Sequence, residues 1–113
     1  MRLKDKTILK KIISEIDKGL IFLGDTRLEE FLNNEMMKYA VAMTAINIGE
    51  LVKNLTMEFR EKNPQVKWKN IAGLRDIAAH KYETLDMNLV YVIVKKDFPE
   101  LKAQIEKILE SEE

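Results

Sequence analysis

A chain of 113 residues with 46% hydrophobic content has the length and the apolar material for one core, so a single domain over residues 1–113 is expected. Lysine plus arginine and aspartate plus glutamate number 19 each, which excludes binding of nucleic acid or membrane through bulk charge; any such affinity must come from a local patch. No cysteine and one histidine exclude a disulfide framework, a thiolate zinc site and a cysteine nucleophile, and leave no expectation of a metal or other cofactor.

The segment Met1 to Lys11 is charged from its second residue and has neither the apolar stretch nor the small-residue cleavage site of a secretion signal. No apolar run approaches the roughly 18 residues that a membrane span needs. The expectation is a soluble, cytoplasmic protein.

From Lys6 to Leu23, the residues Leu9, Ile12, Ile13, Ile16, Leu20 and Leu23 recur at three- and four-residue steps, which predicts a first helix, and Gly24 follows as its stop. Thr26 and Glu29 have the spacing of a capping box and predict a short connecting helix through Phe31 and Leu32, before the pair Asn33 and Asn34. Glu35 to Lys62 carries no proline, ends at Asn63 and Pro64, and is apolar around much of its circumference. One long, largely buried central helix is expected there. Within it, Ala42, Ala45 and Gly49 form a small-residue stripe that allows another helix to come close, inside the bundle in preference to across a dimer.

Trp68, Ile71, Leu74 and Ala78 place a further helix from Trp68 to about His80, and Asp86 is positioned to cap a last helix that runs to about Glu110. By propensity, Leu89 to Val94 suits a strand. A lone strand has no partner for its backbone, and no second strand-like run exists, so the segment is expected to be helical, with a bend near Phe98 and Pro99. The predicted architecture is all-α, a four- to five-helix up-and-down bundle with no repeat and no interdomain linker.

The segment from Trp68 to Tyr82 (WKNIAGLRDIAAHKY) holds the only tryptophan and the only histidine. At about 100° per residue, Asp76 and His80 stand one turn apart on one side, so the carboxylate can accept from one imidazole nitrogen and fix which nitrogen is free. Arg75 lies roughly 140° from His80 on an ideal helix. Their heads converge only through the long arginine side chain or a helix that ends near His80. A guanidinium beside an imidazole suits RNA cleavage by the ribose 2′-hydroxyl: the histidine takes or returns a proton, and the arginine binds the phosphate and offsets developing charge, with no metal required. Such chemistry uses one base and one acid, and a chain with a single histidine supplies both by pairing with a second copy.

Each residue also has a plainer reading. His80 near a helix C-terminus can be a solvated or capping residue, and Tyr82 a half-buried aromatic. Lys67, Lys69 and Lys81 are either an RNA-binding patch or a wet surface. Glu50 interrupts an apolar helix and is either a buried hydrogen-bonding group near Arg75 or an exposed one; buried and unpaired, it would be costly.

At this segment the sequence resembles the HEPN superfamily, specifically the HepT-like toxins of the MNT–HEPN (type VII) toxin–antitoxin systems. Their motif is arginine, a polar residue, three further residues, histidine, any residue and tyrosine, places held here by Arg75, Asp76, His80 and Tyr82. The lead-in Trp68 to Leu74, the stretch Ile46-Asn47-Ile48-Gly49-Glu50 and the stretch Asp97-Phe98-Pro99-Glu100-Leu101 are similar to the family's other signatures, so the likeness runs nearly full length. Asp76 stands where many relatives have asparagine, and Lys81 where glycine is often found. The resemblance implies a helical homodimer that brings two motifs into one cleft and cuts RNA without metal. It also implies a minimal nucleotidyltransferase antitoxin that neutralises the toxin by adenylylating the motif tyrosine, here Tyr82. The rival expectation is a non-catalytic HEPN-type module that binds nucleotides or the nucleotidyltransferase.

Overall fold

The structure, a computed structural model, describes residues 1–80 and 86–111, with the backbone alone for residues 75–80. Helix α1 (Leu3–Leu23) turns the apolar stripe read from the sequence inward: Leu9, Ile12, Ile16 and Leu23 are all but fully buried. Gly24 ends it with φ 53°, a conformation open to a residue without Cβ, and donates its N–H to the Leu20 carbonyl at 2.8 Å.

Helix α2 (Leu28–Leu32) is the expected connector and buries Phe31, but the capping box does not form. The helix begins one residue later than Thr26 would require, with Arg27 in the cap position and no side-chain cap bond. The Thr26 carbonyl instead accepts from the Tyr91 hydroxyl at 2.7 Å, a tertiary bond that fixes the turn.

The single central helix expected over Glu35–Lys62 is divided into α3 (Glu35–Lys53) and α4 (Met57–Lys62). Asn34 caps α3 by accepting from the Met37 N–H. The division is imposed from fifty residues away. The Thr56 backbone is extended, its N–H donates to Asp5 Oδ1 at 2.9 Å, and its hydroxyl donates to Asp5 Oδ2 at 2.7 Å while accepting from the Phe59 N–H to cap α4. Asp5 is 1% exposed, and a buried carboxylate must find donors. Thr56 supplies both by leaving the helix.

Helix α5 (Trp68–His80) starts where expected. The Trp68 indole N–H donates to the Asn63 carbonyl at 2.9 Å, and its ring lies tilted against Phe59. Asp86 caps α6 (Met87–Val92) as expected, accepting from the Asn88 and Leu89 N–H groups. One π turn (Ile93–Asp97) then joins α6 to α7 (Phe98–Ser111), so the chain is helical throughout Leu89–Val94, and no strand occurs among the described residues. The expected irregularity near Pro99 takes this form for a definite reason. Proline has no N–H, and its ring collides with the carbonyl four residues back; the ladder shifts register, and the Phe98 N–H donates five residues back to Ile93.

Helices α1 and α3 run antiparallel, as the pairs Asp5 with Thr56, Glu15 with Asn47 and Gly19 with Thr44 require. The α6–π–α7 rod runs antiparallel to α1, tied by Tyr91 to Thr26, Lys95 to Gly24 and Lys102 to Asp17. Helix α3 packs against α1 and against α5, and Ala42, Ala45 and Gly49 are buried within this chain. The all-α bundle is therefore as read from the sequence, but its described α segments number seven rather than four or five, because the central and last helices are interrupted.

Helices approach closely at Gly19. A Cβ there would stand 2.8 Å from Phe98 Cε2 and 2.8 Å from Thr44 Oγ1, and the Thr44 hydroxyl is itself held by the Val41 carbonyl. Surface ion pairs add little. Asp17 holds the Lys102 ammonium above its usual pKa through a hydrogen bond and its charge, and Lys62, with Arg2 behind it, holds Glu58 below the usual carboxylate value.

Two substitutions test this packing. Gly19→Ala is expected to cost about 1–3 kcal/mol through overpacking, read as a lower urea midpoint at unchanged m-value. Asp5→Ala strands the Thr56 N–H and should cost about 1–3 kcal/mol; a midpoint within error of the parent would mean that the Asp5–Thr56 pair does not fix the α3–α4 break.

Candidate active site on helix α5

The sequence-derived site residues fall on or beside α5. Lys67 and Lys69 are exposed at its start, where they are open to a polyanion. Arg75, Asp76 and His80 lie on its second half, and the backbone stays helical through His80, which keeps Asp76 and His80 one turn apart in register. The side chains of these three residues, and the whole of Lys81 and Tyr82, lie outside the described residues.

Glu50 is on α3, which packs directly along α5. It is half-buried, between the two alternatives left by the sequence, and lines a cavity of about 370 Å³ with Lys11, Ser14, Lys18 and Asn47 between α1 and α3. Asn47 crosses that groove to donate to Glu15 Oε1 at 2.8 Å, and Lys18 donates to Glu15 Oε2 at 2.9 Å. Among the described residues no group of three or more His, Cys, Asp or Glu is placed to hold a metal ion.

A larger cavity, about 460 Å³, opens between the first half of α5 and the α6–π–α7 rod. Its deep side is apolar: Phe98 and Leu101 are buried, and Ile71, Leu74 and Ile93 half-buried. Its rim is polar, with Lys67 and Asn70 on the α5 side and Asp97, Glu100 and Gln104 on the rod. The Gln104 side-chain amide donates to the Gln65 carbonyl at 3.3 Å and closes one end. No local pattern in the sequence marks this cavity, because one wall comes from residues 65–74 and the other from residues 89–104. The usable signal was compositional: the side-chain amides of Asn70 and Gln104 on otherwise charged helix surfaces.

The fold is thus an all-helical bundle whose fifth helix carries a guanidinium and an imidazole position five residues apart. Residues 9–108 match the family described as "Ribonuclease HepT-like". Relatives agree over nearly their whole length. "Putative RNase MJ1380" of Methanocaldococcus jannaschii is 40% identical over 101 residues, covering 89% of this chain and 93% of that protein. "Putative RNase MJ0125" of the same organism is 39% identical over 104 residues, covering 92% of this chain and 90% of that protein. "Probable ribonuclease HepT" of Thermococcus cleftensis is 31% identical over 108 residues, covering 96% and 98%. No solved structure matches at a significant level. The chain belongs to the HepT-like ribonuclease family, for which RNA is the substrate class. Among the described residues no helix is long and apolar enough to cross a membrane.

If Lys67 and Lys69 hold phosphates, the double substitution to alanine should reduce the slope of log affinity against log salt for single-stranded RNA by about 1.4, from about 0.7 per contact. An unchanged slope, measured by anisotropy between low and moderate salt, would make both lysines mere solvated surface.

Proposed function

We propose that this chain, as one domain, is the toxin of a type VII (MNT–HEPN) toxin–antitoxin system: a metal-independent endoribonuclease that works in the cytoplasm as a homodimer. The observation that carries this reading is the sequence pattern Arg75-x4-His80-x-Tyr82, its arginine and histidine positions on one helix, in a chain that belongs to a ribonuclease family. In the proposed reaction, His80 takes the proton of a ribose 2′-hydroxyl, and the oxygen attacks the adjacent phosphorus. The 5′-oxygen leaves with a proton from the imidazole of the second copy. Products are a 2′,3′-cyclic phosphate and a 5′-hydroxyl, with no net proton change. Arg75 binds the phosphate and offsets charge in the transition state. Asp76 orients the imidazole from one turn earlier, and Lys67, Lys69 and Lys81 hold the flanking backbone.

Control falls to Tyr82. A nucleotidyltransferase antitoxin would transfer an adenylyl group from ATP to its phenol oxygen, releasing pyrophosphate and placing a phosphate where the substrate phosphate must sit beside Arg75.

Purified protein should cleave RNA in excess chelator, and His80→Ala should lower the rate about 10²-fold or more. Arg75→Ala should lose a comparable factor at saturating RNA, which more substrate does not restore. Unchanged cleavage by a folded His80→Ala protein would overturn the assignment.

A further inference from the structure

We infer that the cavity between α5 and the α6–π–α7 rod is a nucleobase subsite, which takes an unpaired base flanking the cleaved phosphate and favours bases that carry an exocyclic amine over uracil. This rests on the ribonuclease reading for its place in the reaction, but the pocket's own chemistry stands separately.

The volume, about 460 Å³, falls in the range of small-ligand sites, and the combination of an apolar floor and a few convergent polar groups is the usual make-up of one. The half-buried Ile71, Leu74 and Ile93 offer the apolar surface on which a base face can lie. Asn70 and Gln104 each carry a donor and an acceptor on one planar amide, the pairing that matches the adenine edge. Asp97 and Glu100 accept only, so they suit an amine donor and disfavour the uracil carbonyls. Those two carboxylates also decide how a nucleotide enters. They repel phosphate from the rod side, while Lys67 attracts it to the α5 side, so the base is directed inward and the backbone kept along α5.

The register of α5 then links the subsite to the motif. Lys67, Ile71 and Arg75 follow one another at four-residue intervals, so the Arg75 position is one turn, about 6 Å, beyond Ile71 and next to Leu74 at the end of the cavity wall. A base seated against Ile71 and Leu74 therefore leaves its phosphate at the motif half of the helix. A peptide or a duplex fits less well: the mouth pairs a cation with two anions instead of one sign, and a base in a duplex is not free to enter.

The test uses short oligoribonucleotides that cannot react because every 2′-oxygen is methylated, fluorescein-labelled and titrated by anisotropy with the full-length protein. Pentamers of adenine and of cytosine should bind at least about fivefold more tightly than the uracil pentamer, the lower end of the discrimination that a base-edge contact supplies. Asp97→Asn with Glu100→Gln, which supplies donors to the uracil carbonyls, should bring the three within about twofold. Neither residue lies in the core, so the fold should survive, which a thermal melt checks. Leu89→Trp, at the exposed mouth, should weaken the adenine and cytosine pentamers and leave the uracil pentamer unchanged. Equal binding of the three pentamers, or a preference that survives the carboxylate-to-amide substitutions in folded protein, would overturn the subsite. Loss of RNA cleavage with the preference intact would instead overturn the ribonuclease reading and leave the subsite standing.

Discussion

The absence of a side chain at Gly19 is the constraint from which most of the architecture follows. Helix α1, helix α3 and the α7 end of the rod meet there, with Phe98 and Thr44 both within 2.8 Å of where a Cβ would be. Interiors are packed densely enough that such a contact admits no compromise. Because α3 carries α5 on its other flank and the rod carries the far wall of the 460 Å³ cavity, the separation of those walls is set by how closely α1 lets its neighbours approach. The Cα envelope is only 19 Å across its thinnest dimension, about two helix layers, so one misplaced layer would displace the motif helix directly.

A second constraint acts along the chain. Two breaks in otherwise helical segments, at Thr56 and before Pro99, each arise from a backbone group that cannot stay in the ladder. Thr56 leaves it to satisfy a buried carboxylate, and Pro99 has no N–H to contribute. Both breaks redirect the chain at the edges of the site: the first lets α4 and its loop deliver Trp68 to the start of α5, and the second sets Ile93 and Phe98 on the cavity wall.

These differences mark how far the sequence was legible. Apolar periodicity was sufficient for α1, for α5 and for the helical character of Leu89–Val94, and local chemistry sufficed for the Gly24 stop and the Asp86 cap. The α3–α4 break was not legible, because nothing between Glu35 and Lys62 announces it; its cause is Asp5. The Thr26–Glu29 box did not form: α2 begins at Leu28 with Arg27 in the cap position, and the Thr26 carbonyl is held by the Tyr91 hydroxyl. At the site, the arginine, histidine and tyrosine spacing was visible as a pattern, and the cavity beside it was not. Helical register fixes which residues share a face of one helix, but says nothing of what the rod brings opposite.

With equal numbers of acidic and basic residues, the molecule has no overall field to draw RNA in, so local groups must both attract the backbone and orient it. In the proposed function that work falls to Lys67, Lys69 and the motif helix, and the chemistry is an internal attack by the ribose. The most direct test of that central claim is the structure of the cut ends. RNA digested in chelator should carry 2′,3′-cyclic phosphate and 5′-hydroxyl termini by mass spectrometry, and fragments bearing 3′-hydroxyl and 5′-phosphate ends would contradict it.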